Sequence, residues 1–184
     1  LKSYYSMEII GTGKNDLKFI RYKAFNSKLF LPISTYVSYK LEHDWDDYNE
    51  LFHAVNYIQN IKNIEGVWFD IHTVQNNDRI IGVLTIVGGE IEKLGIPHDS
   101  QTTSTLLLKY FHIIDKGMGY GSYWLKSVIF PYYQSKNYSK ILISSSHPKS
   151  FNFYEKIGEE MESYTKMSDN QLHERKCKTF SISL

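Results

Sequence analysis

The apolar residues of the chain occur in short runs and at helical spacings, and each arrangement predicts one kind of element. Apolar runs predict strands over residues 67–74 and 79–87, and the polar residues 75–78 between them suit a hairpin turn. A longer apolar run over residues 105–114 predicts a largely buried strand. The remaining predicted strands are short and cover residues 8–10, 140–144, 161–164 and 176–183, with a polar loop over residues 166–174.

Apolar residues spaced at three and four positions predict three helices. The first covers about residues 16–32, with Leu17 and Ile20 on its apolar face, and the second begins near residue 46 and extends to about 58. The aspartates of residues 44–47 suit the positive end of this second helix. The third helix runs over about residues 119–131. A hairpin followed by strand, helix, strand and helix predicts a mixed α/β domain, and we expect residues 1–184 to form a single one.

Three alternating glycines, Gly117, Gly119 and Gly121, lie between the strand of residues 105–114 and the third helix. The first amides of a helix have no intrahelical acceptor, and the helix dipole is positive at that end. Such a turn therefore suits an anion of phosphate size, which glycine allows the backbone to approach. Lys116 adds a positive charge beside it. Alternating glycines also occur in flexible surface turns, but the flanking strand and helix favour the anion site.

Two motifs in the second half of the chain resemble those of one family. Residues 116–121, Lys-Gly-Met-Gly-Tyr-Gly, resemble the acyl-CoA-binding signature of the GNAT superfamily of N-acyltransferases, Arg/Gln-x-x-Gly-x-Gly/Ala. Residues 151–158, Phe-Asn-Phe-Tyr-Glu-Lys-Ile-Gly, resemble that family's later helix end, aromatic-Tyr-Glu-Lys-x-Gly. The chain departs from the family's pattern at Lys116, where Arg or Gln is usual, at Ile113, where proline is common, and at Glu159, where phenylalanine is usual.

The resemblance implies a central, mostly antiparallel, twisted sheet flanked by helices. It also implies an N-acetyltransferase that uses acetyl-CoA as co-substrate and passes the acyl group directly to a primary amine. Tyr154 matches the family position whose phenol protonates the leaving thiolate. Backbone groups near Phe111 and Ile113 would pair with the pantetheine arm, and the glycine turn would hold the pyrophosphate. The residues implied to bind the cofactor are Phe111, Ile113, Lys116, Gly117, Met118, Gly119, Tyr120, Gly121 and Ser122.

The residue that removes a proton from the amine is not evident in the sequence. Family members that use a strand glutamate place it about a dozen residues before the glycine turn, where residues 102–105 are all Thr or Ser. Asp70 and His72 lie on a predicted strand without metal-ligand spacing. Glu90, Glu92, His98 and Asp99 lie in the nearby connection and could relay a proton through water, but their position favours a solvated loop role. His112 on the predicted strand is more typical of a structural histidine. The missing carboxylate leaves a second function open, a CoA-binding sensor or partner subunit with little or no turnover.

Composition narrows the class of protein. A chain of 184 residues that is 42% hydrophobic suffices for one well-packed domain. A balance of 21 Lys and Arg against 20 Asp and Glu argues against nucleic acid or a membrane surface as partner. The single cysteine, Cys177, excludes an internal disulfide and a cysteine-based zinc site.

From the same features we expect a soluble, cytoplasmic protein without a metal, because no apolar stretch reaches the length of a membrane span and no signal pattern is present. Residues 1–6, which precede Met7, are expected to be an expression remnant. The amine acceptor is expected to be a small molecule, a peptide or a protein. The sequence is also consistent with a homodimer.

Overall fold

A computed structural model describes residues 7–43, 47–96 and 102–184, and their strands form one eight-stranded sheet. The strands are β1 Met7–Thr12, β2 Leu17–Tyr22, β3 Val67–Asn76, β4 Arg79–Gly89, β5 Thr105–Ile113, β6 Lys140–Ser145, β7 Glu159–Met167 and β8 Glu174–Ser183. Their order across the sheet is β1-β2-β3-β4-β5-β6-β8-β7. All neighbours run antiparallel except β5 and β6, which run parallel. The prediction of a mixed α/β, mostly antiparallel sheet is therefore confirmed.

The helices cover both faces of this sheet. They are α1 Leu31–Glu42, α2 Glu50–Ile61, α3 Tyr120–Tyr123, α4 Phe130–Gln134 and α5 Pro148–Glu155. A π-helical stretch, Trp124–Ile129, joins α3 to α4, so that residues 120–134 form one continuous helical segment. Short 3-10 turns lie at Lys14–Asp16, Ser27–Phe30, Ile91–Leu94 and Thr102–Ser104. Within the described ranges, every helix falls short of the length and apolarity that a bilayer crossing requires.

Two groups of buried side chains lie on opposite faces of the sheet. Leu106 and Leu108 of β5 pack in the group that contains the segment 120–134 and α5. Leu107, between them in sequence, packs in the group that contains α1 and α2. This alternation is what a strand buried on both faces requires. The sheet thus separates an α1/α2 side from a side covered by the later helices.

The helix predicted over residues 16–32 is wrong. Residues from Leu17 to Tyr22 form β2 and pair with β3, and Leu17 and Phe19 are buried while Lys18 between them is exposed. The spacing of apolar residues fits a helix, but pairing with a neighbouring strand buries more of them. Pro32 stands instead in the first turn of α1, a helix that the sequence did not predict.

Other boundaries differ by a few residues. The helix predicted from residue 46 begins at Glu50, where the Asn49 side chain accepts a hydrogen bond of 2.9 Å from the Phe52 amide. The predicted caps Asp44 and Asp46 lie outside the described residues. The helix predicted to end at about Pro131 continues to residue 134, because the π-helical stretch leads directly into α4 and accommodates a proline that donates no amide hydrogen bond.

The closing strands are longer than predicted, and the loop between β7 and β8 shortens to residues 168–173. The hairpin predicted over residues 67–87 is present as β3 and β4, with Asn77 in the left-handed region at its turn, at φ +54°.

Candidate active site

A cleft lies where β5 and β6 separate. Their parallel pairing ends at Leu108 and Ile143. Beyond this point β5 continues along β4 to Ile113, whereas β6 continues along β8 to Ser145. The cleft between them has a volume of about 850 Å³. Within the described part of the chain, the edge of β5 over residues 109–113 that faces β6 has no strand partner, so its backbone groups are available to an extended ligand.

A β-bulge shapes this free edge. Lys109 pairs with Thr85 and His112 with Val83, so three steps along β5 match two along β4. The extra residue is Tyr110, which adopts φ +54° although it is not glycine. Its hydroxyl donates a hydrogen bond of 3.1 Å to the His53 carbonyl on α2, which holds the strained backbone in place.

The glycine turn after β5 leads into the helical segment 120–134. Gly117 and Gly119 have φ values of +79° and +75°, and a Cβ at either position would meet no atom within 4 Å. Glycine is therefore favoured at these two positions by the positive φ angle of the backbone, and not by the close approach of another protein atom. At Gly121 a Cβ would lie 3.2 Å from Phe111 Cζ, so that this glycine allows the helix to pack on β5. Among the described residues, no protein group accepts a hydrogen bond from the amides of residues 117–121.

Most residues predicted to bind a cofactor line this cleft. Met118 does not, and its side chain is 65% exposed. Lys116 Nζ lies 4.6 Å from the ring centroid of Tyr36 on α1, and burial lowers the pKa of this lysine. The predicted residues on the cleft wall are Phe111, Ile113, Lys116, Gly117, Gly119, Tyr120, Gly121 and Ser122.

Tyr154, the predicted catalytic acid, also lines the cleft from α5. Its side chain is 7% exposed, and its ring packs against Phe180 and Phe153 with centroid distances of 5.5 Å and 5.4 Å. Burial raises the pKa of Tyr154, so that the hydroxyl stays protonated at neutral pH. Its hydroxyl has no hydrogen-bond partner among the residues that the structure describes, which leaves it available to a ligand.

A buried ionic cluster that the sequence did not reveal lies on the α1/α2 side of the cleft. Glu50 Oε1 is 2.6 Å from Lys40 Nζ and 3.2 Å from His147 Nε2. Glu50 and Lys40 are only 2% and 1% exposed, and Lys40 also donates a hydrogen bond of 2.6 Å to the Tyr48 carbonyl. Burial opposes ionisation of Glu50, but hydrogen bonds from His147 and Lys40 outweigh it and lower the pKa of this carboxyl. Glu50 is therefore ionised at neutral pH.

The rings of His112 and His147 both lie beside Tyr36, and His147 belongs to the ionic cluster itself. The Tyr36 ring lies 5.0 Å from the His112 ring and 6.3 Å from the His147 ring, between centroids. Burial lowers the pKa of His112 to about 3, which makes it a weak base. His147 is 28% exposed and bound to Glu50, so it combines access to the cleft with a carboxylate that orients its ring.

Of the other base candidates from the sequence, those that the structure describes do not line the cleft. Glu90 pairs with Lys93, and neither Glu90 nor Glu92 lines the cleft. His72 and Asp70 are buried elsewhere, where Tyr133 bridges them with two contacts of 2.6 Å. His98 and Asp99 lie outside the described residues. Among the base candidates within the described ranges, His112 alone lines the cleft wall.

The comparisons with known proteins agree with this architecture. No protein-family model and no curated protein sequence matches the chain. The ribosomal-protein-alanine N-acetyltransferase from Brucella melitensis is 11% identical, with a TM-score of 0.58 over 89% of this chain and 99% of that one. RimL, a ribosomal L7/L12 α-N-protein acetyltransferase, is 9% identical, with a TM-score of 0.61 over 100% of this chain and 98% of that one. An acetyltransferase from Streptococcus agalactiae is 14% identical, with a TM-score of 0.55 over 94% of this chain and 100% of that one. The chain thus has the fold of the GNAT acetyltransferases.

Proposed function

We propose that the protein is an acetyl-CoA-dependent N-acetyltransferase that passes the acyl group directly to a primary amine. The observation that carries this proposal is the separation of β5 and β6 beside a glycine turn whose amides have no described protein acceptor. This arrangement offers an edge strand for an extended amide-containing arm and, at its end, a positive cradle for a diphosphate. Acetyl-CoA combines both groups in one molecule.

Within this proposal the residues of the cleft hold the two ends of the donor. The amides of residues 117–121 bind the pyrophosphate, and Lys116 supplies a positive charge beside them. The free edge of β5 near Phe111 and Ile113 pairs with the pantetheine arm. With the donor bound in this way, we expect the thioester to lie near Tyr154 and the cluster around Glu50, which line the same cleft.

The proton transfers fall to His147 and Tyr154. If His147 donates its Nε2 proton to Glu50, the lone pair of Nδ1 is left to take a proton from the amine. The Glu50 carboxylate then stabilises the imidazolium. The amine nitrogen attacks the thioester carbonyl carbon, the carbon–sulfur bond breaks, and the sulfur takes the proton of the Tyr154 hydroxyl, which water restores.

The named relatives in fold support the transfer to an amine. Each of the three is an acetyltransferase, and RimL is named for the α-amino group of ribosomal protein L7/L12. The acceptor class, a small amine or the amine of a peptide or protein, is part of our proposal, because identities of 9–14% carry the fold alone.

Two measurements test the proposal. Calorimetry should show that Gly119→Asp, which places a carboxylate at the cradle, weakens acetyl-CoA binding by more than about tenfold, or 1.4 kcal/mol. Gly95→Asp is the matched control, because Gly95 has a similar φ of +83°, equally open space and a position off the cleft. Equal affinities of two folded variants would contradict the pyrophosphate site. Thiol release from acetyl-CoA should continue over many turnovers when pooled amines are added. Binding without any such release would support a CoA sensor instead.

A further inference from the structure

Two lysines on the α1/α2 side of the cleft have no carboxylate partner among the described residues. Lys109 on β5 and Lys166 on β7 both line the cleft. Lys109 Nζ lies 5.3 Å from the ring centroid of Tyr57, and Lys166 Nζ lies 4.9 Å from that of Tyr48. Aromatic faces stabilise an ammonium only in part, so both charges remain available to an anion.

Three carboxylates near Tyr48, whose ring lies beside Lys166, have partners among the described residues. Glu50 binds Lys40 and His147. Beyond it, Asp47 pairs with Arg175 at 2.5 Å, and Asp169 pairs with His53 at 3.1 Å. Of the described residues that line the cleft, four are lysines and two are carboxylates, Glu50 and Asp115. The cleft therefore has an excess of positive charge, and half of its lysines lie away from the glycine turn.

Burial makes the charge on Lys109 costly. Desolvation lowers the pKa of Lys109, and the nearby charge of Lys166 lowers it further. A buried ammonium is stable when an anion pairs with it. The two ammonium groups, which line the same cleft beside aromatic rings, together suit a small anion such as a carboxylate.

We propose that Lys109 and Lys166 bind a carboxylate of the acceptor, so that the acceptor is an amine that also carries a carboxylate. This inference rests on the proposed transferase function and specifies its substrate class. It argues against polyamines and aminoglycosides, because their additional positive charges would lie near the two lysines of the same cleft.

The proposal is tested with four-carbon primary amines that differ only in the group at the other end of the chain, which is a carboxylate, an amide or a second amine. In steady-state kinetics, kcat/KM should be at least about tenfold higher for 4-aminobutanoate than for 4-aminobutanamide, and higher still relative to 1,4-diaminobutane. A second arm compares the dipeptide amides Ser-Asp-NH₂ and Ser-Asn-NH₂. A preference for 4-aminobutanoate over its amide indicates that the acceptor is a free amino acid. A preference for Ser-Asp-NH₂ over Ser-Asn-NH₂ indicates that the acceptor is a peptide. Faster transfer to phosphoethanolamine than to any carboxylate would overturn the assignment.

Variants link the preference to the two lysines. Lys109→Met and Lys166→Met should each lower kcat/KM for the acid by about tenfold, and leave the amide and the affinity for acetyl-CoA unchanged. Lys126→Met, on the exposed side of the π-helical stretch, is the control. Lys109→Arg should retain the preference, because it keeps the charge. If Lys109→Arg abolishes transfer to both the acid and the amide, Lys109 acts as a base and the inference is wrong.

A binding experiment separates this inference from the transferase proposal. Calorimetry with the CoA complex should show tighter binding of 4-aminobutanoate than of its amide, and Lys109→Met should remove the difference. If this holds without turnover, the transferase function fails and the carboxylate site stands. If acid and amide bind and react equally while transfer continues, the carboxylate site is refuted and the transferase function stands.

Discussion

Replacing Glu50 with glutamine removes one charge from the buried cluster and nearly preserves the shape of the side chain. Lys40 would then keep its charge at 1% exposure without the carboxylate that now lies 2.6 Å away. Removing one partner of a buried ion pair costs about 3–5 kcal/mol, because the remaining charge stays desolvated. Glu155→Gln is the control. Its carboxylate lies 3.3 Å from Lys178, with exposures of 44% and 23%, and such a surface pair contributes about 0–1 kcal/mol.

Urea unfolding at pH 7 measures this difference in the free energy of unfolding, and thermal unfolding measures the corresponding shift in Tm. For a domain of this size, 1 kcal/mol corresponds to about 2–4 °C in Tm, so we expect Glu50→Gln to lower Tm by at least about 6 °C. The pKa of Glu50 is lowered from its ordinary value of 4.5 in the folded protein. Its ionisation therefore stabilises the fold above pH 4.5, and this contribution is lost as the pH falls through the folded pKa. The gap between wild type and variant should accordingly shrink in acid.

The same variant tests the proposed base. Without the carboxylate that orients His147, turnover should fall by at least about a hundredfold while the affinity for acetyl-CoA stays within about twofold. A loss of stability no larger than that of Glu155→Gln would refute the buried ion pair. Unchanged turnover in a folded, destabilised variant would refute the catalytic role of the pair formed by Glu50 and His147.

Three further substitutions test other parts of the site and the core. Tyr154→Phe should lower turnover by about tenfold or more at constant acetyl-CoA affinity, and a parallel loss of affinity in calorimetry would contradict the acid role. Lys116→Ala should flatten the dependence of acetyl-CoA affinity on salt, whereas equal salt slopes would show that Lys116 does not contact the pyrophosphate. Burial lowers the pKa of His72 from 6.5 to about 3, so wild-type stability should decline by up to about 1.4 kcal/mol per pH unit below pH 6.5. In His72→Phe this decline in the urea midpoint should be shallower, and parallel curves would contradict it.

The sequence predicts an element correctly when residues close together in the chain determine it. It fails where contacts with distant parts of the chain decide the structure. The hairpin of β3 and β4 was correct, because two apolar runs flank a polar turn with Asn77 at its tip. β2 was mistaken for a helix because Leu17 and Ile20 fit a helical spacing, and only the pairing with β3 decides between the two. α1 was missed because its apolar residues do not form a clear stripe.

The residues of the candidate site also fall into two groups, those that belong to a short sequence motif and those that only the fold brings together. The glycine turn and Tyr154 were identified because each belongs to a short motif with fixed spacing. Glu50 is the first residue of α2 and His147 lies two residues after the end of β6, and 97 positions separate them in the 184-residue chain. Glu50 looks like an ordinary acidic residue of a helix start. His147 did have a signal, since it follows a strand whose parallel neighbour ends at the same edge of the sheet.

The bulge at Tyr110 explains how β5 contributes side chains both to the α1/α2 side of the cleft and to the side of the glycine turn. Strict alternation from Leu107 would place residues 109, 111 and 113 on the α1/α2 side. Phe111 and Ile113 instead pack with the helices on the opposite face, whereas Tyr110 and His112 contact α2 and α1. The extra residue shifts the alternation by one position, at the cost of a non-glycine φ of +54°. Because of this shift, Lys109 and His112 both face the proposed acceptor, while the apolar side chains that follow Tyr110 support the glycine turn.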